Sequence, residues 1–331
     1  MKDIFQKLLI IRTPGIGPVK YQKIIDSEIE LNHAQEHIEQ VRREMARAAE
    51  LGIHYICKDS KYYPEALRRV AAAPPVITVR GNLETLRLPA VAIVGTRHAT
   101  AAALRFTSDM AREFATRGTV VVSGMAIGTD TAAHMGALAA SGDSQTIAVL
   151  AGGADYIWPL ENERLYHQIL ERGCVVSEMP VGTVPVPNNF IQRNRWIAGL
   201  SDKLILGEAD EKSGSMATAR FAIDYGRQVY AIPGHPSDER SRGPNRLIKD
   251  GHATLCMGVE DFFPKEDKKH EPRITSTSHQ NEVLNLLGNI PIHESVLAEL
   301  AKKTVADIRR ELVMLELSGA VRKTVGGYVK A

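Results

Sequence analysis

Glycine, small hydroxyl residues and arginine recur together at the ends of short apolar runs in this sequence. After VAIV at 91 come Gly95, Thr96 and Arg97; a run closing on Ser123 leads into Gly124 and Gly128, then Asp130 and a segment carrying His134. Further along stand Gly152-Gly153, Ser177, the trio Arg193, Asn194, Arg195, the trio Ser213, Gly214, Ser215, then Pro233-Gly234 and a last group of Gly243, Asn245 and Lys249. Glycine lets a backbone approach a ligand, a helix that opens after such a loop directs free N–H groups at an anion, and arginine forks onto phosphate oxygens. The chemistry indicated is phosphate binding without bond making. One such loop is an ordinary tight turn; several, converging on one sheet edge, point to a site.

Other chemistries find less support. The first apolar run continues as GTRHAT and not G-x-G-x-x-G, and Ser123 stands where a dinucleotide fold has an acidic residue, so no NAD or FAD cofactor is expected. No Walker A, HExxH or GxSxG pattern occurs, and Cys57, Cys174 and Cys256 lie too far apart in sequence for a metal or disulfide framework. No metal site and no catalytic residue is assigned, and His134 is expected to be packed or hydrogen-bonded. The formal charge of +2 requires any nucleic-acid affinity to come from local patches. The N-terminus lacks a signal pattern and no long apolar stretch occurs, so a cytoplasmic protein without membrane contact is expected.

Alternating elements must position these loops. Apolar runs at 91, 119, 146, 174, 203 and 228, separated by helix-length segments starting near Ala101, Asp130, Asn162, Phe190, Ser215 and Pro244, predict an α/β domain over 90–263. Such a pattern makes an extended, Rossmann-like, doubly wound parallel sheet whose ligands sit at the strand carboxyl ends. Residues 1–70 read as a helical module, with PGIGPVKYQKII resembling a helix-hairpin-helix; 71–89 read as a connection with one short strand near Val76–Val79. The charged, hydroxyl-rich stretch 264–280 reads as a linker, and three helices followed by two short β runs around Gly326-Gly327 predict a winged helix over 281–331.

The segments SGMAIGTDTAAHMGAL at 123, IAVLAGGADYIWPLEN at 147, NNFIQRNRWIAGLS at 188, SGSMATARFAIDYGRQVYAIPG at 213 and GPNRLIKDG at 243 resemble the DprA/Smf family in order and spacing. That resemblance implies an N-terminal SAM-like module, a C-terminal DML1-like winged helix, and single-stranded DNA held in a basic pocket at the strand ends. It further implies a homodimer formed through the central domain and loading of the RecA recombinase onto incoming DNA during natural transformation. Residue by residue it places the contacts at Gly95 and Arg97, at Ser123, Gly124, Gly128 and Asp130, at Arg193, Asn194 and Arg195, and at Gly243, Asn245 and Lys249. Departures fall at Thr129, at Trp158 before Pro159, and at HATAAA after Arg97. The competing reading is a LOG-like nucleotide phosphoribohydrolase, or a nucleotide sensor of the same fold, in which Glu178 and Glu208 act as acid and base; SGSMATA lacks the PGGxGTxxE pattern of those enzymes.

Overall fold

The computed structural model describes residues 3–29, 31–142, 145–263 and 282–331, which divide into a unit ending near 264 and a second from 265 onward. The linker expected at 264–280 lies outside the described residues. Among those described, no helix is long and apolar enough to cross a membrane.

The first unit is built on a sheet of strands β1 (Ile53–Cys57), β2 (Val76–Gly81), β3 (Ala90–Val94), β4 (Val120–Ser123), β5 (Thr146–Val149), β6 (Cys174–Ser177), β7 (Lys203–Leu206), β8 (Gln228–Ala231) and β9 (Thr254–Leu255). Their order is β1-β2-β6-β5-β4-β3-β7-β8-β9. Strands β6 to β9 in that order run parallel, while β2 pairs antiparallel with β6 and β1 antiparallel with β2. The chain therefore winds outward from β3 to β6 and returns to lay β7 on the other side of β3. That reversal leaves a crevice between β3 and β7.

Helices α1 (Ile4–Ile11), α2 (Pro18–Asp26), α3 (Gln35–Glu50) and α4 (Glu65–Arg68) precede the parallel strands. Helices α5 (Ala101–Thr116), α6 (Thr129–Leu138), α7 (Glu163–Arg172), α8 (Pro187–Gly199), α9 (Gly214–Asp224) and α10 (Glu239–Lys249) cover the sheet. Burial on both faces explains the continuous apolar strands. Ala92 and Val94 of β3 pack with Trp196 and Ile197 of α8, while Val91 and Ile93 pack with Met110 and Phe114 of α5.

Two local expectations need correction. Residues 53–57, read as part of a helical module, form β1, because Ile53, Tyr55 and Ile56 suit a strand and β2 offers them a partner in register Ile53↔Arg80. The last helix does not begin at Pro244. It starts at Glu239 behind an Asp238 cap whose carboxylate accepts from the Arg240 amide, with Pro244 inside it. Proline there has no N–H to give the Arg240 carbonyl, which instead accepts from the Ala209 amide at 2.6 Å.

The second unit has helices α11 (Glu282–Leu286), α12 (Glu294–Leu300) and α13 (Val305–Leu317), then the antiparallel strands β10 (Val321–Thr324) and β11 (Gly327–Lys330). Leu297, Ile308, Leu312, Val321 and Tyr328 form its core. This is the winged helix expected at the C-terminus. The turn residue Gly327 has φ +145° and lies so near the Ile292 carbonyl that a Cβ would sit 2.2 Å from that oxygen.

Candidate nucleic-acid interface

Where the winding reverses, the loops after β3 and β7 and the start of α6 meet the flank of α8 around a cavity of about 330 Å³. Gly95, Thr96, Arg97, Asp130, Arg193, Asn194, Ser213, Gly214 and Ser215 line it, so nine of the anticipated residues come together. The loops hold one another. Ser215 donates its hydroxyl to the Gly95 carbonyl at 2.6 Å, the Thr96 amide donates to the Glu208 carbonyl at 2.6 Å, and the Thr129 amide and hydroxyl both donate to the Thr96 carbonyl. Ser213 caps α9 by accepting from the Met216 amide, and the amides of Gly214 and Ser215 have no acceptor among the described residues. Two unpaired N–H groups at a helix N-terminus form an anion-accepting corner.

The glycines serve a different purpose from the one expected. A Cβ on Gly124 would lie 2.1 Å from Arg193 Nη1, and Gly128, at φ +84°, would set one 2.6 Å from the carbonyls of Thr96 and Arg97. These positions need glycine because other loops press against them. Only Gly214 in this group opens toward the cavity, its nearest side-chain neighbour being Asn194 at 3.6 Å.

Arg193 is a building element. It is 6% exposed, and its Nη1 donates to the carbonyls of Gly124 and, at 2.8 Å, of Val149. Buried Asp130 accepts from the Gly124 amide at 3.1 Å and the Ala126 amide at 3.3 Å. Burial drives the Arg193 guanidinium down to about 10 against the opposing pull of Asp130, with the Arg97 charge adding to the depression. Burial likewise raises the Asp130 carboxyl, with the Arg193 charge and the loop amides working the other way. The pair fixes the β4 loop onto α8.

Arg97 is exposed, and among the described residues no carboxylate pairs with it. Its guanidinium instead stands 5.1 Å from the centre of the Trp158 ring, which meets Phe190 edge to face at 4.5 Å. On the outer side, Arg97, Ile127, Tyr156, Trp158 and Leu160 border a wider, open cavity of about 740 Å³. Sequence reading did not assign Trp158 or Phe190 to the site. The available signal was an aromatic residue inside a glycine-opened loop at a strand's carboxyl end. The Trp158 loop is anchored through Asp155, which takes Arg47 of α3 in two contacts at 2.8 Å and the Gly182 amide at 2.8 Å.

The remaining expected residues fall elsewhere. Ser123 is buried and donates to the Ile93 carbonyl inside the sheet. Arg195 turns toward Glu178, 3.9 Å away, and lies over the Trp196 ring. Gly243 packs on Ala209 and Met216, and Asn245 clamps Gly234 by accepting from its amide at 3.1 Å and donating to its carbonyl at 2.8 Å. Lys249 ends α10, whose eleven residues carry it roughly 15 Å down the sheet from the loop end where the helix starts. His134 is fully buried and hydrogen-bonded to Thr146 at 2.8 Å. Glu208 spends both carboxylate oxygens on Thr100, at 2.7 Å to its amide and 2.8 Å to its hydroxyl, where Thr100 caps α5.

Comparison with known proteins agrees with this architecture. Residues 54–267 match the model for DNA recombination-mediator protein A, and residues 267–327 that for the DprA winged helix domain. Protein Smf of Escherichia coli K12 is 36% identical over 292 residues, covering 84% of this chain and 77% of that protein. The DNA processing protein DprA of Bacillus subtilis is 36% identical over 233 residues, covering 70% and 77%. Among solved structures, DprA of Streptococcus pneumoniae superposes with a TM-score of 0.67 at 31% identity, covering 79% of this chain and 97% of that one. DNA processing protein A of Helicobacter pylori, whose structure concerns a single-stranded DNA binding mode, gives 0.57 at 32% identity, covering 63% and 94%. With its central match spanning more than half its length and a relative above 30% identity along most of it, the chain belongs to the DNA recombination-mediator protein A family.

Proposed function

We propose that the switch-point crevice binds single-stranded DNA. A phosphate sits against the Gly214 and Ser215 amides and the Arg97 guanidinium, and a neighbouring base lies against the Trp158 and Phe190 surface. The observation that carries this reading is Arg97: an exposed guanidinium, unpaired with any described carboxylate, set over an indole at the mouth of a pocket that offers free amides. A cavity of about 330 Å³ admits a phosphate and sugar but not a duplex, and stacking needs a base with its face open. The single-stranded DNA binding of the Helicobacter pylori relative supports the same choice.

The family supplies the second half of the proposal. A recombination mediator passes its strand on, so this chain protects incoming DNA and loads RecA onto it during transformation, acting as a homodimer through the central domain. The phosphoribohydrolase reading loses ground because Glu208, one of its two carboxylates, is engaged with Thr100.

Fluorescence anisotropy with a labelled oligothymidine, alone and annealed, at two salt concentrations tests the DNA reading. The expected result is single-strand preference with a log–log salt slope of roughly −0.7 per phosphate contact, collapsing in Arg97→Ala. Equal affinity for duplex, or binding insensitive to salt, would overturn it. Release of free base from nucleoside monophosphates would revive the enzymatic alternative.

A further inference from the structure

The opposite edge of the sheet holds another cavity, of about 450 Å³, where β3 begins and α8 has just ended. Along α8, Asn194 of the switch-point crevice and Ser201 of this cavity are separated by roughly 10 Å of helix. Ser201 lines it, is 1% exposed, and its Oγ has no hydrogen-bond partner among the described residues. A buried hydroxyl is ordinarily satisfied, and one left without a partner beside a cavity is available to a ligand atom.

The charges around that hydroxyl are predominantly positive. Arg69 and Arg227 share the single carboxylate of Asp202, Arg87 pairs with Glu84 at 2.9 Å, and Arg68 with Glu65 at 3.2 Å. Lys61 pairs with no carboxylate among the described residues and leans over the Tyr62 ring at 4.9 Å. Four cations, Lys61, Arg68, Arg69 and Arg87, thus line the cavity against the carboxylates of Asp202 and Glu65, which are 65% and 71% exposed. Such solvated pairs are weak and can exchange partners with a better anion.

We infer that this cavity is a second phosphate site: Lys61, Arg69 and Arg87 receive the anion and Ser201 donates its hydroxyl to it. The phosphate comes from a free nucleotide or from a strand continuing along α8, and the site does not depend on the switch-point reading.

The test uses full-length protein. Thymidine 5′-monophosphate is titrated calorimetrically into Arg97→Ala, with and without Lys61→Ala/Arg87→Ala, substitutions at exposed positions outside the core. Oligothymidines of increasing length are titrated into otherwise wild-type protein with and without the same pair. Mononucleotide binding that weakens about tenfold or more on losing the two cations establishes the free nucleotide as ligand. A loss of similar size confined to oligonucleotides long enough to span α8 establishes the strand. Affinities unmoved in both arms overturn the site, and they do so whether or not Arg97→Ala abolishes short-strand binding. Ser201→Ala should weaken the same ligand severalfold at unchanged melting temperature; no change would remove the hydroxyl from the site.

Discussion

In the switch-point loops the exposed guanidinium of Arg97 meets an indole and no described carboxylate, whereas on and just before α13 Arg309 forks onto Glu294, Arg310 pairs with Asp307 at 3.1 Å, and Lys303 pairs with Glu311 at 2.7 Å. Both regions are rich in basic residues, yet Arg97 is left open while these three cations are each held by a carboxylate. The difference teaches that a nucleic-acid footprint is set by which charges are free, not by how many there are. Arg193 marks the other extreme within the same crevice: a buried cation whose Nη1 is held by two backbone carbonyls.

The largest effect should follow from breaking that commitment. Arg193→Met leaves Asp130 buried without its countercharge and strips donors from Gly124 and Val149, so stability should fall by about 3–5 kcal/mol. Denaturant titration measures this; a near-neutral result would return Arg193 to the set of ligand contacts. Arg97→Ala should do the reverse. It should cost single-strand affinity about 1.5–3 kcal/mol, roughly 10- to 100-fold, while leaving the denaturation midpoint in place. A comparable loss of stability in Arg97→Ala would erase the distinction between the two arginines.

His134 extends the contrast between silenced and open cations to pH. The Thr146 hydroxyl donates to the Val121 carbonyl at 2.6 Å, so His134 Nδ1 must donate to Thr146, and its Nε2 is buried without a partner. Burial holds the imidazole near about 3, with the Arg193 charge adding to the effect. Below pH 6.5 the unfolded chain therefore takes up a proton that the folded chain refuses, and stability declines as pH falls toward 3. At pH 5 the loss should be about 2 kcal/mol. Melting curves between pH 7 and pH 5 should show this slope in the wild type and a flatter one in His134→Gln; identical slopes would place the acid sensitivity elsewhere.

Period and punctuation carried much of the fold into the sequence. The six apolar runs became β3 to β8 because strands buried on both faces must be continuously apolar, and glycine-ended runs marked the loops of the crevice. What stayed hidden depended on pairing in space. Strand β1 exists only because β2 is beside it, and Pro244 is tolerated within α10 only because Ala209 takes the carbonyl that proline leaves free. Among the site residues, Arg97 and Arg193 look alike in sequence and differ in burial, which no local pattern encodes. Trp158 and Phe190 join the site across more than thirty residues of chain, through an edge-to-face contact that spacing does not reveal.

The smallest effects should come from the winged helix, and they are the sharpest test of the contrast. Exposed ion pairs contribute about 0–1 kcal/mol each, so Arg309→Ala and Arg310→Ala should each shift stability by less than about 1 kcal/mol. Because both guanidiniums are already held by carboxylates, binding DNA would require those pairs to open first, and single-strand affinity should stay within about twofold of wild type. Anisotropy at low salt, where electrostatic contributions are greatest, is the condition least favourable to this expectation. A tenfold loss there would mean that paired cations on α13 still reach the strand, and the rule that only open charges form the interface would fail.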